Sequence, residues 1–544
     1  MSRIEATLQA ATRVSSEVPA APDASGENVS VIEKPLTYTG GESLLGRPSA
    51  DQLKGHSVRG GAITLIAQAT KLLVQTGTMV VLARLLSPED YGLQGMVVAL
   101  TGVFALFADI GLGAATVQRE AITHEELSAI CWINIAVGAA ITVLIVVLAP
   151  ALVTFYHEPR VYWIAIVSAP AFLFTGAAAQ HRALLQRTMR YATLAKIELT
   201  SLLFSFVVGV GMALYGLGYW SLVGMAICAP IVVSLGSWLS IPWRPSLPNG
   251  DVQIRSMLRF GWTVTFNNLV VYVAYNTEKV LLGRSWGTEA LGVYGRAYQL
   301  LNLPMQQLYT AMYTVAFPAL SQIQQDTGRL CRAFLRGYSI LLALILPVIL
   351  AFAINANEVV RLVLGPKWSS AAMLLRLLTP AILVFALINP FGWLLIATGR
   401  TVRSLNIALA IAPVVIIGIV TGLPHGPSGV AVGYSVAMLT LLLPLIVWSI
   451  YETGISLADY WSAVRKPFVA GALAAIASVL VKETLVADGG PAVRLATSLL
   501  VGAAMYAWIL LSIMNEKALY VDMVTHLLER WSIGRRWLAR ARLG

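Results

Sequence analysis

The chain has 544 residues, of which 57% are hydrophobic and only 12% charged. Soluble domains run at about 45–50% apolar and about 25% charged, so a chain this poor in charge could not cover its own surface in water. An ordinary soluble enzyme is excluded, and so is disorder over most of the length. The net charge of +11 reads as basic loops beside anionic lipid rather than as a nucleic-acid surface.

Residues 1–59 are polar and rich in Ala, Ser, Pro and Glu, with no apolar core of a signal peptide. They are expected to form a disordered cytoplasmic tail, with the first membrane helix starting insertion. From Gly60 onward, apolar stretches alternate with short polar breaks. They fall at 61–84, 92–117, 128–155, 161–186, 194–215, 219–241, 258–283, 290–317, 335–355, 370–397, 405–421, 429–451, 467–482 and 492–513. About 20 apolar residues cross a bilayer as a helix. The pattern therefore predicts an all-α polytopic membrane protein with about 14 transmembrane helices. Prolines such as Pro150, Pro170, Pro230 and Pro380 fall inside these stretches, where neighbouring helices re-satisfy the backbone. Fifteen Lys and Arg lie in the loops on the side of the N-terminus, against seven on the other side. That bias places both termini in the cytoplasm. After the last stretch, Leu519, Met523, Leu527, Trp531 and Leu538 alternate with five arginines, which predicts a basic amphipathic tail lying on the membrane surface.

The chain also repeats itself. LARLLSPEDYGLQG recurs 200 residues later as LGRSWGTEALGVYG, matching Leu82, Arg84, Glu89, Gly92 and Gly95 to Leu282, Arg284, Glu289, Gly292 and Gly295. LLQRTMRYATL is echoed by LIATGRTVRSL, and GLGYWSLVG by GPSGVAVG, in the same order. The expected organisation is two pseudo-symmetric six-helix lobes, 60–241 and 258–451, joined by a cytoplasmic linker at 242–257. Two further helices occupy 452–513, and 514–544 is the basic tail.

Ionisable groups inside a membrane helix usually face a partner or a watery cavity. The candidates are Lys71, Asp109, Glu198, Glu278, Lys279, Arg296 and Arg376. Asp109, Glu198 and Arg376 lie near expected span ends, where reaching to the interface is the simpler reading. Gln68, Lys71 and Gln75 share one helix face. Asn268, Tyr272, Tyr275 and Lys279 form a second stripe, with Asn276 and Glu278 beside it. Arg296, Gln299, Asn302 and Gln306 form a third. Such groups suit a ligand with hydroxyls and negative charge, because amides bond sugars and cations pair with phosphate. The plainer alternative is hydrogen bonding between helices.

No catalytic pattern is present: GxSxG, a Walker loop and HExxH are all missing. The three cysteines and six histidines are scattered, so neither a disulfide framework, a metal site nor a cofactor is expected. The expected outer loops are short, the longest at about 355–369, too short for a membrane enzyme with its own periplasmic apparatus.

Four stretches carry a family resemblance: LARLLSPEDYGLQGMVVAL with FADIGLGAATVQRE, YNTEKVLLGRSWGTEALGVYGRAYQLLNLP, VAFPALSQIQQDTGRL, and LVLGPKWSSAAMLLRLL. Across about 60–513 the sequence resembles the polysaccharide exporters of the MOP superfamily, and within them the Wzx-type flippases. The resemblance implies a fourteen-helix transporter of the inner membrane, working by alternating access and needing no cofactor. It would move undecaprenyl-diphosphate-linked sugars to the periplasmic leaflet for lipopolysaccharide or exopolysaccharide assembly. A polysaccharide polymerase and a chain-length regulator would be its partners, besides membrane lipids. On that reading Lys71, Lys279 and Arg296 attract diphosphate or acidic sugars, and Gln68, Asn268, Asn276 and Asn302 contact hydroxyls. Glu278, where relatives often carry Asp, and Asp109 pair with these cations or take up a proton. The long N-terminal tail departs from the family. A drug or small-solute antiporter on the same scaffold is the alternative, and a non-transporting assembly scaffold is another.

Overall fold

The computed structural model describes residues 50–107, 112–118, 122–247 and 255–514. Among them there is no strand. Nine helices among the described residues are long and apolar enough to cross a membrane, from His124–Tyr156 to Pro491–Ile513. The protein is an all-helical polytopic membrane protein, a form in which each backbone polar group is satisfied within its own helix.

The first segment holds α1 (Ala50–Leu85), α2 (Pro88–Ala105), α3 (Leu112–Gln118), α4 (His124–Tyr156), α5 (Arg160–Ser168), α6 (Pro170–Arg187), α7 (Tyr191–Leu214) and α8 (Trp220–Ser240). The second opens with α9 (Arg255–Gln322), whose two arms meet at Gly287, where φ is 79°. It continues with α10 (Thr327–Ile354), α11 (Ala356–Val359), α12 (Ala371–Ala397), α13 (Thr401–Gly422) and α14 (Gly426–Ile450). Last come α15 (Leu457–Thr484) and α16 (Pro491–Trp508). Reciprocal side-chain caps set the starts of α2, α4 and α15: Ser87 with Asp90, Thr123 with Glu126, and Ser456 with Asp459.

Helices overlie the expected spans, but those expected at 258–283 and 290–317 run together as α9, and three more differ. Helix α1 begins at Ala50, inside the expected tail. The span expected at 92–117 is divided into α2 and α3, and the one expected at 161–186 breaks at Ala169, where Pro170 lacks the N–H that would continue the ladder. There the Thr142 hydroxyl donates to the Ala169 carbonyl at 3.0 Å. The rest of the N-terminal tail and the amphipathic C-terminal tail lie outside the described residues.

Within the first segment α1 lies on α7, α4 on α6 and α7 on α8; within the second, α9 lies on α13, and α14 packs on α12 and α13. Helices α15 and α16 pair with each other and dock on α10. An ion network built on the buried pair Lys482 and Glu358 fastens them. Lys482 donates to the Ile354 carbonyl at 2.8 Å and lies 3.6 Å from Glu358. Arg494 reaches Glu358 at 3.5 Å and Glu483 at 3.0 Å. Burying such charges is tolerable because both signs and extra hydrogen bonds are present.

The two segments meet most extensively where α2 crosses α9. A methyl group on Gly92 would overlap the Thr288 carbonyl, and one on Gly292 would overlap the Pro88 carbonyl. The two contacts are mates under the 200-residue repeat, and each requires a residue without Cβ. Nearby, the Trp368 indole donates to the Ala83 carbonyl at 2.8 Å, and Arg84 donates to the Leu362 carbonyl. The Tyr156 ring packs against Gly283, the mate of Ala83. Deeper in, the Tyr272 hydroxyl donates to the carbonyls of Val98 and Ala99 at 3.2 and 3.3 Å.

The opposite end, around Arg190, shows the second repeat. The Arg190 amide donates to Leu185 at 2.8 Å, and the Arg400 amide donates to Leu395 at 2.7 Å. Thr188 and Thr398 each bond back to Leu184 and Leu394 at 2.8 Å. The left-handed residue of each turn is Met189 (φ 55°) or Gly399 (φ 74°). Arg190 and Arg400 then each donate at 3.1 Å to a helix-end carbonyl, Ser240 and Tyr451. The structural register here is 210 residues, so LLQRTMRYATL corresponds to LLIATGRTVRS, one residue away from the sequence pairing.

Candidate functional site

Lys71 lies about 21 Å along α1 from Leu85, at 1.5 Å per residue. Its ammonium is 3.5 Å from one oxygen of Glu198 on α7, and Arg182 of α6 is 3.0 Å from the other. The three side chains are 31%, 34% and 39% exposed for Lys71, Glu198 and Arg182. Gln68, one turn before Lys71, is also partly exposed. Charge left one-third open would be costly in hydrocarbon. Arg182 keeps its Nε buried without a hydrogen-bond partner.

A second group is built on α9. Lys279 donates to the Asn276 amide oxygen at 2.8 Å, one turn away, and sits 5.7 Å from the Tyr298 ring of the other arm. Beside it Glu278 is buried, with Lys279 as its charged neighbour. Arg296 lies with its guanidinium 4.0 Å from the ring centre of Tyr91 on α2. Tyr91 in turn meets Trp368 edge-on at 5.4 Å. Arg296 Nε is buried and has no hydrogen-bond partner. Asn302 is half-buried further along the same arm.

The structure therefore brings Asn276 and Lys279 together and joins Arg296 to the first segment through Tyr91. It pairs Lys71 with Glu198 and Arg182; among the described residues no hydrogen bond or ion pair links Lys71 to Lys279 or Arg296. Asp109 lies outside the described residues, as does the side chain of Asn268. Sequence reasoning missed Tyr91, and it left Glu198 and Arg182 as interfacial or loop residues. Only the turn between α6 and α7 brings Arg182 and Glu198 face to face, so no helical spacing announces the pair.

The 210-residue register sharpens the contrast between the segments. Arg182 corresponds to Gly392 and Glu198 to Ala408. Both line a cavity of about 130 Å³ between α12, α13 and α14, with Asn389, Ser404 and Ser449 as its polar lining. The position filled by charge in the first segment is neutral and hollow in the second.

At the Ser87 end, Arg160 bonds Glu158 at 2.8 Å and Glu89 at 2.6 Å. The hydrogen bonds from Arg160 hold the loop carboxyl of Glu158 below the usual carboxylate range.

A family model described as polysaccharide biosynthesis protein matches residues 81–373. The lipopolysaccharide biosynthesis protein WzxC of Escherichia coli (strain K12) is 27% identical over 415 residues, covering 74% of this chain and 83% of that protein. The teichuronic acid biosynthesis protein TuaB of Bacillus subtilis (strain 168) is 27% identical over 425 residues, 75% of this chain and 86% of that protein. Among solved structures, the lipid II flippase MurJ in an inward closed conformation superposes with a TM-score of 0.67 at 15% identity. It covers 86% of this chain and 100% of that one, so the two share a fold.

Proposed function

Because the chain belongs to the polysaccharide biosynthesis protein family, we propose that it flips undecaprenyl-diphosphate-linked oligosaccharides across the cytoplasmic membrane for polysaccharide assembly. The similarity to a lipopolysaccharide biosynthesis protein, WzxC, and a teichuronic acid biosynthesis protein, TuaB, supports that substrate class. The observation that carries the reading is the set of cations and amides grouped on the long helices of both segments: Lys71 and Arg182 in the first, Asn276, Lys279 and Arg296 in the second. A glycan diphosphate cannot cross about 30 Å of hydrocarbon unaided. It needs a wet, cationic passage for the headgroup while the polyprenyl chain stays in lipid.

On this reading the two segments are lobes that rock about a mid-depth site. The Arg190 end, with its basic turns, faces the cytoplasm, both termini lie there, and the Ser87 end faces the periplasm. Gln68, Lys71, Asn268, Asn276, Lys279, Arg296 and Asn302 line the headgroup path, and Glu278 and Asp109 balance its charge. A polymerase and a chain-length regulator work next to it. A drug antiporter on this scaffold would call for an acidic lining to hold cationic drugs, and the cations named here disfavour it. The test is Arg296→Ala expressed in the native host, with membrane insertion checked by blotting. Loss of exported polymer by at least about tenfold is expected, the factor for one charge-assisted contact. Normal export would remove Arg296 from the mechanism.

A further inference from the structure

We propose that Arg182 and Lys71 form a diphosphate-receiving site in which Glu198 is a built-in stand-in for the ligand, displaced when a phosphate enters. The choice of a lipid-borne diphosphate as ligand rests on the flippase reading above; the anion site itself rests on geometry. Two cations share one carboxylate at 3.5 and 3.0 Å, leaving the cluster with one positive charge in excess. Donors outnumber acceptors. A lysine and an arginine offer eight N–H groups between them, and Arg182 Nε is buried without an acceptor. A diphosphate brings more negative charge and more oxygens than a carboxylate, in a geometry that guanidinium bonds in pairs.

The second segment shows that the fold does not need this ion pair. At the matching positions Gly392 and Ala408 leave a neutral cavity of about 130 Å³, and the surrounding helices pack all the same. Charge at the first-segment position is therefore an addition to the scaffold, not a condition of it. The cluster also lies where a headgroup would enter from the Arg190 end. Arg182 is about 8 Å along α6 from Arg187, and Glu198 about 10 Å along α7 from Tyr191.

Glu198 has two consequences in this arrangement. With no ligand bound, it offsets the mutual repulsion of the two neighbouring cations. With ligand bound, it competes for the same donors, so it weakens holding and speeds release. A purely structural ion pair would do the opposite, and removing Glu198 would then only destabilise the protein.

The experiment measures binding of inorganic pyrophosphate to the purified full-length protein in detergent by calorimetry, with undecaprenyl diphosphate in nanodiscs as a second arm. Glu198→Gln is expected to tighten pyrophosphate binding by about tenfold, the factor for freeing one charge-assisted hydrogen bond. The double variant Arg182→Gly with Glu198→Ala copies the second segment's pair. It is expected to fold, with unchanged gel-filtration behaviour, and to lose pyrophosphate binding. Equal tightening for both ligands by Glu198→Gln assigns the site to the lipid headgroup; tightening for pyrophosphate alone assigns it to a soluble diphosphate. Unchanged or weaker pyrophosphate binding in Glu198→Gln, or wild-type binding in the double variant, overturns the proposal. These outcomes are independent of whether Arg296→Ala exports polymer, so this site and the flippase reading fail separately.

Discussion

Arg296 over Tyr91 is the contact that couples a cation of the second segment to the first, and the ring rather than the hydroxyl makes it. The Tyr91 hydroxyl is buried without a hydrogen-bond partner. Tyr91→Phe keeps the ring and removes an unsatisfied polar group, so its melting temperature in detergent is expected to match the wild type or exceed it slightly. Tyr91→Ala removes the cation–π contact, worth about 1–2 kcal/mol when shielded from water, together with the edge packing on Trp368, and is expected to melt lower. A lower melting point for Tyr91→Phe would show that the hydroxyl matters after all. The sequence made part of this site legible. Asn276 and Lys279 are one helical turn apart, so spacing alone put them side by side. Tyr91 was not legible, because its partner lies more than 200 positions away and only the α2–α9 crossing joins them.

The turns at Thr188–Arg190 and Thr398–Arg400 show how an element repeats when its sequence only half does. The sequence pairing slipped by one residue because the left-handed position is Met189 in one turn and Gly399 in the other, and methionine gives no sign of a left-handed backbone. The arginine after it is the constant part. Arg190→Ala and Arg400→Ala each remove a charge-assisted bond to a helix-end carbonyl. Each is expected to lower stability by about 1.5–3 kcal/mol, measured as loss of melting temperature, with similar sizes in the two turns. A large effect for one and none for the other would show that the turns are not mechanical equivalents. The α2–α9 crossing is more exacting. Gly92→Leu cannot be accommodated against the Thr288 backbone. A cysteine placed at Ala83, fully buried beside Trp368, is expected to resist alkylation in the parent and to react in the Gly92→Leu variant. Protection in both would mean that the crossing does not hold this end shut.

Across the whole molecule, hydrogen bonds between the two segments run from the Ser87 end to the depth of Tyr272. Composition and hydropathy made the helical membrane class legible, and the 200-residue repeat matched Gly92 to Gly292 without showing that their helices cross. The asymmetry between the segments was not legible, because Gly392 and Ala408 reveal their kinship to Arg182 and Glu198 only once the turns are superposed. The most direct measurement is transport by purified protein in liposomes, using a fluorescent undecaprenyl-diphosphate-linked oligosaccharide whose outer-leaflet fraction is read by a membrane-impermeant quencher. Wild-type protein is expected to move the lipid faster than protein-free liposomes do, and Arg296→Ala is expected to lose that gain. Movement no faster than in protein-free liposomes, or undiminished movement by Arg296→Ala, would contradict a charged passage between the segments.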